Sequence, residues 1–140
     1  MYNPTNPNLA RISTLRNTIF SEVMEYADRD AYVSDLALSP QWGDAPAADI
    51  PQERLDYLAL LWDAAHLPLS ELSARFEMSN AAFGRCFAIG RITVGSWSDG
   101  SKKANLSYLL PLAEVLASIR GEIDLSRIYQ LGDFEEGNEE

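Results

Sequence analysis

Apolar residues recur at steps of three and four along nearly the whole chain, and no strict apolar–polar alternation persists beyond a few residues. That period is the 3.6-residue repeat of an amphipathic helix, so an all-α fold is expected. Between residues 8 and 28, Leu9, Ile12, Leu15, Ile19, Val23 and Met24 form one such stripe, flanked by Phe20 and Tyr26. Arg11, Arg16, Glu22 and Glu25 fall mostly on its other side. Residues 29–38 fit either a short helix or an extended segment. Residues 39–51 hold three prolines and a glycine among small residues and read as a loop. Pro51 suits a first helical turn and Glu53 suits the positive end of the helix dipole. The helix expected there, over about 52–66, places Leu55, Leu58, Ala59, Trp62 and Ala65 on one face. After Pro68, Leu69, Leu72 and Phe76 line a further short helix. The tail beyond residue 131 is acidic and broken by glycine, and is expected to fray. No internal repeat of useful length is visible.

At 140 residues and 15.6 kDa the chain suits one compact domain. Within it, residues 1–51 read as an N-terminal helix and loop, 52–131 as a helical domain that holds the helix-turn-helix pattern described below, and 132–140 as a disordered acidic tail. Charges interrupt every apolar stretch well short of a bilayer crossing, so no membrane span is expected. The opening MYNPTNPNLA has neither the basic nor the apolar region of a signal peptide, and a cytoplasmic location is the expectation. Cys86 is the single cysteine and His66 the single histidine, which excludes an internal disulfide, a thiolate-built metal site and any two-histidine metal motif within one chain. Cys86 is expected to be small and partly buried, and His66 to lie at the surface or a helix end. No GxGxxG, P-loop, HExxH or GxSxG pattern occurs, so neither catalysis nor a cofactor is expected.

The net charge of −10 argues, taken whole, against nucleic acid. Its distribution argues otherwise. Residues 1–78 carry five arginines against twelve carboxylates, and residues 106–140 two arginines against eight. Residues 79–105 carry Arg85, Arg91, Lys102 and Lys103 against Asp99 alone. Screening over about 8 Å at physiological salt makes the local face, and not the total, decide phosphate contact.

That basic island has a distinct pattern, SNAAFGRCFAIGRITVGSWSDG over residues 79–100. Ser79 is a good N-cap, since its oxygen accepts an orphan backbone N–H. Phe83 and Phe87 share a helical face, and Gly84 beside them lets a second helix approach closely. Gly90 tolerates the dihedrals of a helix break, with Ile89 plugging the corner. Helical spacing resumes at Ile92, Thr93 and Val94, with Val94 and Trp97 facing inward, and Asp99-Gly100 ends it. Helices over 79–87 and 91–98, crossing steeply about a tight turn, make a helix-turn-helix.

In these residues the chain resembles the lambda-repressor and Cro type of helix-turn-helix, the XRE family, over about residues 69–117. Ser79 resembles the Ser or Thr that opens the second helix of that unit. Phe83, Gly84 and Phe87 resemble its apolar–Ala–apolar core, and Ile89 the apolar turn residue. Residues 91–97 resemble the recognition helix, which commonly ends Trp-x-x-Gly as Trp97 and Gly100 do. Lys102 and Lys103 resemble the basic residues that follow, and Asn105 to Leu116 the next core helix. Gly84 stands where alanine is commoner, and Gly90 and Gly95 weaken a helix by about 0.5–1 kcal/mol each where they fall in its interior. A second register also fits: residues 71–79 as opening helix and turn, with 80–88 as the recognition helix. The first register accounts for Trp97, Gly100 and the two lysines.

The resemblance implies an all-α bundle containing a lambda-repressor-like helix-turn-helix with an N-terminal helical extension. It implies a transcriptional regulator that occupies an operator in double-stranded DNA. Arg91, Ile92, Thr93 and Ser96 are then the expected base contacts, and Ser79, Asn80, Arg85, Lys102 and Lys103 the expected phosphate contacts. A palindromic site would call for a homodimer, through the N-terminal helix or the helix expected near Ile123–Leu131. The alternative is a module of the same shape that binds protein, as antitoxin-like or inhibitor-like factors do, through the apolar face of helix 8–28.

Overall fold

The computed structural model describes residues 7–44, 48–86, 88–99 and 106–130. Among these the chain is all-helical, with α-helices α1 (Pro7–Glu22), α2 (Arg29–Ala37), α3 (Gln52–His66), α4 (Leu69–Arg75), α5 (Asn80–Cys86), α6 (Arg91–Asp99), α7 (Leu106–Ile119) and α8 (Leu125–Ile128). No helix among the described residues is long and apolar enough to cross a membrane.

The first helix stops short of the expected residue 28. The chain turns at Glu25, whose N–H donates to the Glu22 carbonyl, and Val23 is buried beyond the helix end. Residues 29–38 resolve as helix. Asp28, in extended backbone, accepts from the Ala31 N–H and caps α2, which requires a break before it.

The proline-bearing segment that follows is more than a connector. A short 3-10 turn, Pro40–Trp42, inserts the Trp42 indole fully into the core. Its Nε1–H donates to the Leu36 carbonyl at 2.8 Å, its ring stacks on Tyr129, and the Arg54 guanidinium lies 4.3 Å from its centroid. Arg54 is itself only 1% exposed, forked onto Asp44 and bonded to the Ala37 carbonyl. Arg11 of α1 donates to the carbonyls of Gln41, Trp42 and Tyr129. Two arginines thus satisfy the backbone of a loop that lacks its own ladder.

The central helix α3 has the expected bounds but a different inward face. Tyr57, Leu58, Leu60, Leu61, Ala64 and Ala65 are buried, while Leu55, Ala59 and Trp62 are half-buried. The helix packs against α2, α7 and α8, so it is covered on more than one side and its apolar stripe is wider than a surface helix needs. A polar cluster lies in the same core. Arg16 of α1 forks onto Glu114 of α7 at 2.8 and 2.9 Å, and Tyr57 donates to that carboxylate and bonds to Tyr129. Burial, together with the neighbouring Tyr129 and Glu114, holds the Tyr57 phenol well above its usual range, and burial pushes Tyr129 up to about 12.

The core runs without a break from Leu15 to Tyr129. The stripe of α1 is spent inside this core: Leu15 and Ile19 are fully buried, leaving Leu9 and Met24 as its exposed apolar side chains. An outside partner therefore finds little of that face free. The helix expected near 123–131 is a single turn, α8, capped by Asp124. The helix expected over 105–116 is α7, which runs on to Ile119.

Candidate nucleic-acid interface

Helices α4, α5 and α6 pack on one another through short connections. Each connection closes in the same way. At the end of α4, Glu77 takes φ +60°, its N–H donates to Ala74, and the Met78 N–H donates to Ser73. At the end of α5, Ala88 takes φ +56°, its N–H donates to Arg85, and the Ile89 N–H donates to Gly84. Both are Schellman closures with a left-handed residue after the cap. The sequence points to Gly90 as the residue in the unusual conformation, but the strained position is Ala88, where an L side chain costs about 1–2 kcal/mol. The reason is register: the closure needs its left-handed residue two places after Cys86, and Gly90 comes two places later still.

The equivalent positions of the two connections lie eleven residues apart. Ser73 and Gly84 are small and buried, Met78 and Ile89 are half-buried corner residues, and Phe83 and Val94 are buried anchors. The two connections therefore repeat one local closure, with α5 shared between them. This short repeat escapes a sequence scan because only residue size and burial recur.

Gly84 is where α5 and α6 touch. A Cβ there would lie 2.8 Å from Val94 Cγ2 and 3.1 Å from the Ile89 carbonyl oxygen. Val94 is 4% exposed, and Trp97 is half-buried against the core rather than fully enclosed. Phe87, Gly100, Lys102 and Lys103 lie outside the described residues.

A groove of about 410 Å³ runs between the two helices. Asn80, Ala81, Gly84 and Arg85 line it from α5. Ile89, Arg91, Val94 and Gly95 line it from the turn and α6. Three expected phosphate or base contacts, Asn80, Arg85 and Arg91, thus share one concavity. Ile92, Thr93 and Ser96 lie outside it, further round α6. Ile92 is 86% exposed, and no packing among the described residues accounts for so large an apolar side chain there. Thr93 is exposed, whereas Ser96 is half-buried and its hydroxyl donates back to the Ile92 carbonyl. Ser79 acts as the expected cap, accepting from the Ala82 N–H at 3.1 Å. Asn80 is half-buried, and its Oδ1 sits 2.7 Å from the buried Ser73 hydroxyl.

The electrostatics of the groove follow from what is missing around it. Six arginines, at positions 16, 29, 54, 75, 120 and 127, pair with carboxylates. Arg85 and Arg91 are exposed and pair with none among the described residues. No Asp or Glu occurs between Glu77 and Asp99, as the segment charges already indicate. Cys86, expected to be partly buried, is exposed at the end of α5. His66 closes α3 and stacks on Trp62. Among the described residues no group of three His, Cys, Asp or Glu is placed to hold a metal ion. No family model matches the chain, and neither a curated protein nor a solved structure matches it.

Proposed function

We propose that this chain is a sequence-specific DNA-binding regulator of the lambda-repressor type, acting by operator occupancy, with α6 in the major groove. One observation carries the reading. In a chain with 21 carboxylates, Arg85 and Arg91 pair with none among the described residues, and both line the same groove between two short helices. An unpaired guanidinium is free to fork onto phosphate or guanine without first breaking an ion pair. Arg91 opens α6, Ile92 stands outward where a thymine methyl would meet it, and Thr93 flanks them. Arg85, Lys102 and Lys103 supply phosphate contacts, and Ser79 and Asn80 sit at the start of α5. Ser96 has its hydroxyl engaged on the helix backbone and is the weakest of the expected base contacts. A symmetric operator would be met by a homodimer.

The test is selection from a randomised duplex pool at low salt. The unmodified chain should enrich a preferred sequence. Arg91→Ala should lower affinity for it by about 1–3 kcal/mol and relax preference at one base pair, with helical content unchanged. Absence of any enriched sequence would refute the proposal and favour a protein-interaction module, which the acidic remainder of the chain suits.

A further inference from the structure

We infer that the α5–α6 groove is also a binding site for a small amphipathic monoanion, an apolar body bearing one carboxylate or sulfonate, and that such a ligand excludes DNA from the same arginines. The exclusion rests on the function proposed above; the binding does not. The lining has two distinct parts. Its floor is small and apolar, made by Ala81, Gly84, Val94 and Gly95, with Ile89 at one end. Its polar groups are donors. Arg85 and Arg91 carry guanidinium groups that pair with no carboxylate among the described residues, and Asn80 has its carboxamide oxygen engaged by the buried Ser73 hydroxyl, which leaves its amide N–H groups.

Among the described residues no carboxylate lines the groove, so none of them repels an anion there. Its volume of about 410 Å³ falls in the range of small-molecule sites, where apolar walls supply affinity and a few polar groups fix orientation. A phosphate alone would leave the floor wet, and a neutral apolar molecule would leave two guanidinium groups beside it without a counter-charge. A molecule with both features satisfies both halves. The floor is open because residues 81 and 95 are alanine and glycine, so one larger side chain fills it.

The experiment titrates the full chain with octanoate and with 1-naphthalenesulfonate, using octanol and inorganic phosphate as comparators. Heat of binding and backbone amide shifts are the readouts. Both amphipathic anions should bind saturably, one per chain, with the largest shifts at Gly84, Ile89, Val94 and Gly95. Octanol and phosphate should bind at least tenfold more weakly. Arg85→Gln combined with Arg91→Gln should weaken octanoate at least tenfold, and Ala81→Leu should abolish binding while leaving helical content intact. Ala81, Arg85 and Arg91 are all exposed, so these variants keep the core. Equal binding of octanol, equal binding of phosphate, or binding indifferent to the arginine pair or to Ala81→Leu would each overturn the inference. Displacement of an enriched duplex by octanoate is scored separately. If the anion binds and the chain selects no duplex, the functional reading fails and the site stands; if a duplex is selected and no anion binds, the reverse holds.

Discussion

Replacing Gly84 with alanine adds one methyl group at the contact between α5 and α6. Two effects of opposite sign compete. In a helix, alanine is favoured over glycine by about 0.8–1 kcal/mol. Against that, the new Cβ would lie 2.8 Å from Val94 Cγ2, and 3.1 Å from the Ile89 carbonyl oxygen. Neither neighbour yields easily: Val94 is buried and β-branched, and the Ile89 carbonyl belongs to the turn itself. Overpacking of this kind costs about 1–3 kcal/mol, so the steric effect wins or nearly cancels the propensity gain. Gly95 is the internal control, because a Cβ there meets nothing within 4 Å and the position is exposed. Gly95→Ala should therefore stabilise by about 0.8–1 kcal/mol, and the two variants should differ by about 1–3 kcal/mol. Urea unfolding at constant slope reads this difference directly. Combining Gly84→Ala with Val94→Ala should recover at least about 1 kcal/mol relative to the sum of the single effects, since the clash loses its partner. If Gly84→Ala is as stable as Gly95→Ala, or if the pair is additive, the close approach of the two helices at Gly84 is wrong. Because the added methyl would displace α6 from α5, and Arg85 and Arg91 lie on these two helices, Gly84→Ala should also weaken DNA binding at a salt and temperature where the variant remains folded.

Three further outcomes are expected. Replacing Lys102 and Lys103 together should flatten the dependence of log K on log salt by about two for any duplex bound, and an unchanged slope would remove both from the phosphate contacts. The Asp44 carboxyl is held below the usual range by its hydrogen bonds from Arg54, so its contribution is complete above about pH 5 and is lost as pH falls through the lowered value. Asp44→Asn should therefore lower the urea midpoint at pH 6, with the gap to the parent closing towards pH 3; a gap that stays constant would refute the assignment. Glu114→Gln should cost about 3 kcal/mol by leaving Arg16 unneutralised beside Tyr57 and Tyr129, and Arg16→Met in the same chain should restore part of the loss in thermal unfolding.

Much of the helical framework was legible in the sequence because its determinants are local. The bounds of α3 at Gln52–His66, the short helix carrying Leu69, Leu72 and Phe76, the Ser79 cap and the restart at Arg91 each depend on spacing and caps within a few residues. The basic island was legible for the same reason, and with it Arg85 and Arg91. What escaped depends on distance along the chain. The ion pair of Arg16 with Glu114 joins residues 98 apart, and Tyr57 and Tyr129 meet across 72. Nothing near Arg16 distinguishes it from a solvated arginine. Trp42 sits in a segment whose prolines and glycine mark it as loop, yet it anchors the core because α2, Tyr129 and Arg54 enclose it. The inward face of α3 was misplaced because periodicity gives the direction of one stripe, whereas a helix packed against three others buries more than one. The end of α1 and the left-handed residue after α5 followed closure geometry instead of residue preference, so Ala88 took the place that glycine content suggested for Gly90. For the candidate site, composition and spacing named its two arginines. Only the folded chain decided that, among the described residues, these two lack a carboxylate while six others have one, because an ion pair is a property of positions in space and the sequence orders those positions along a line.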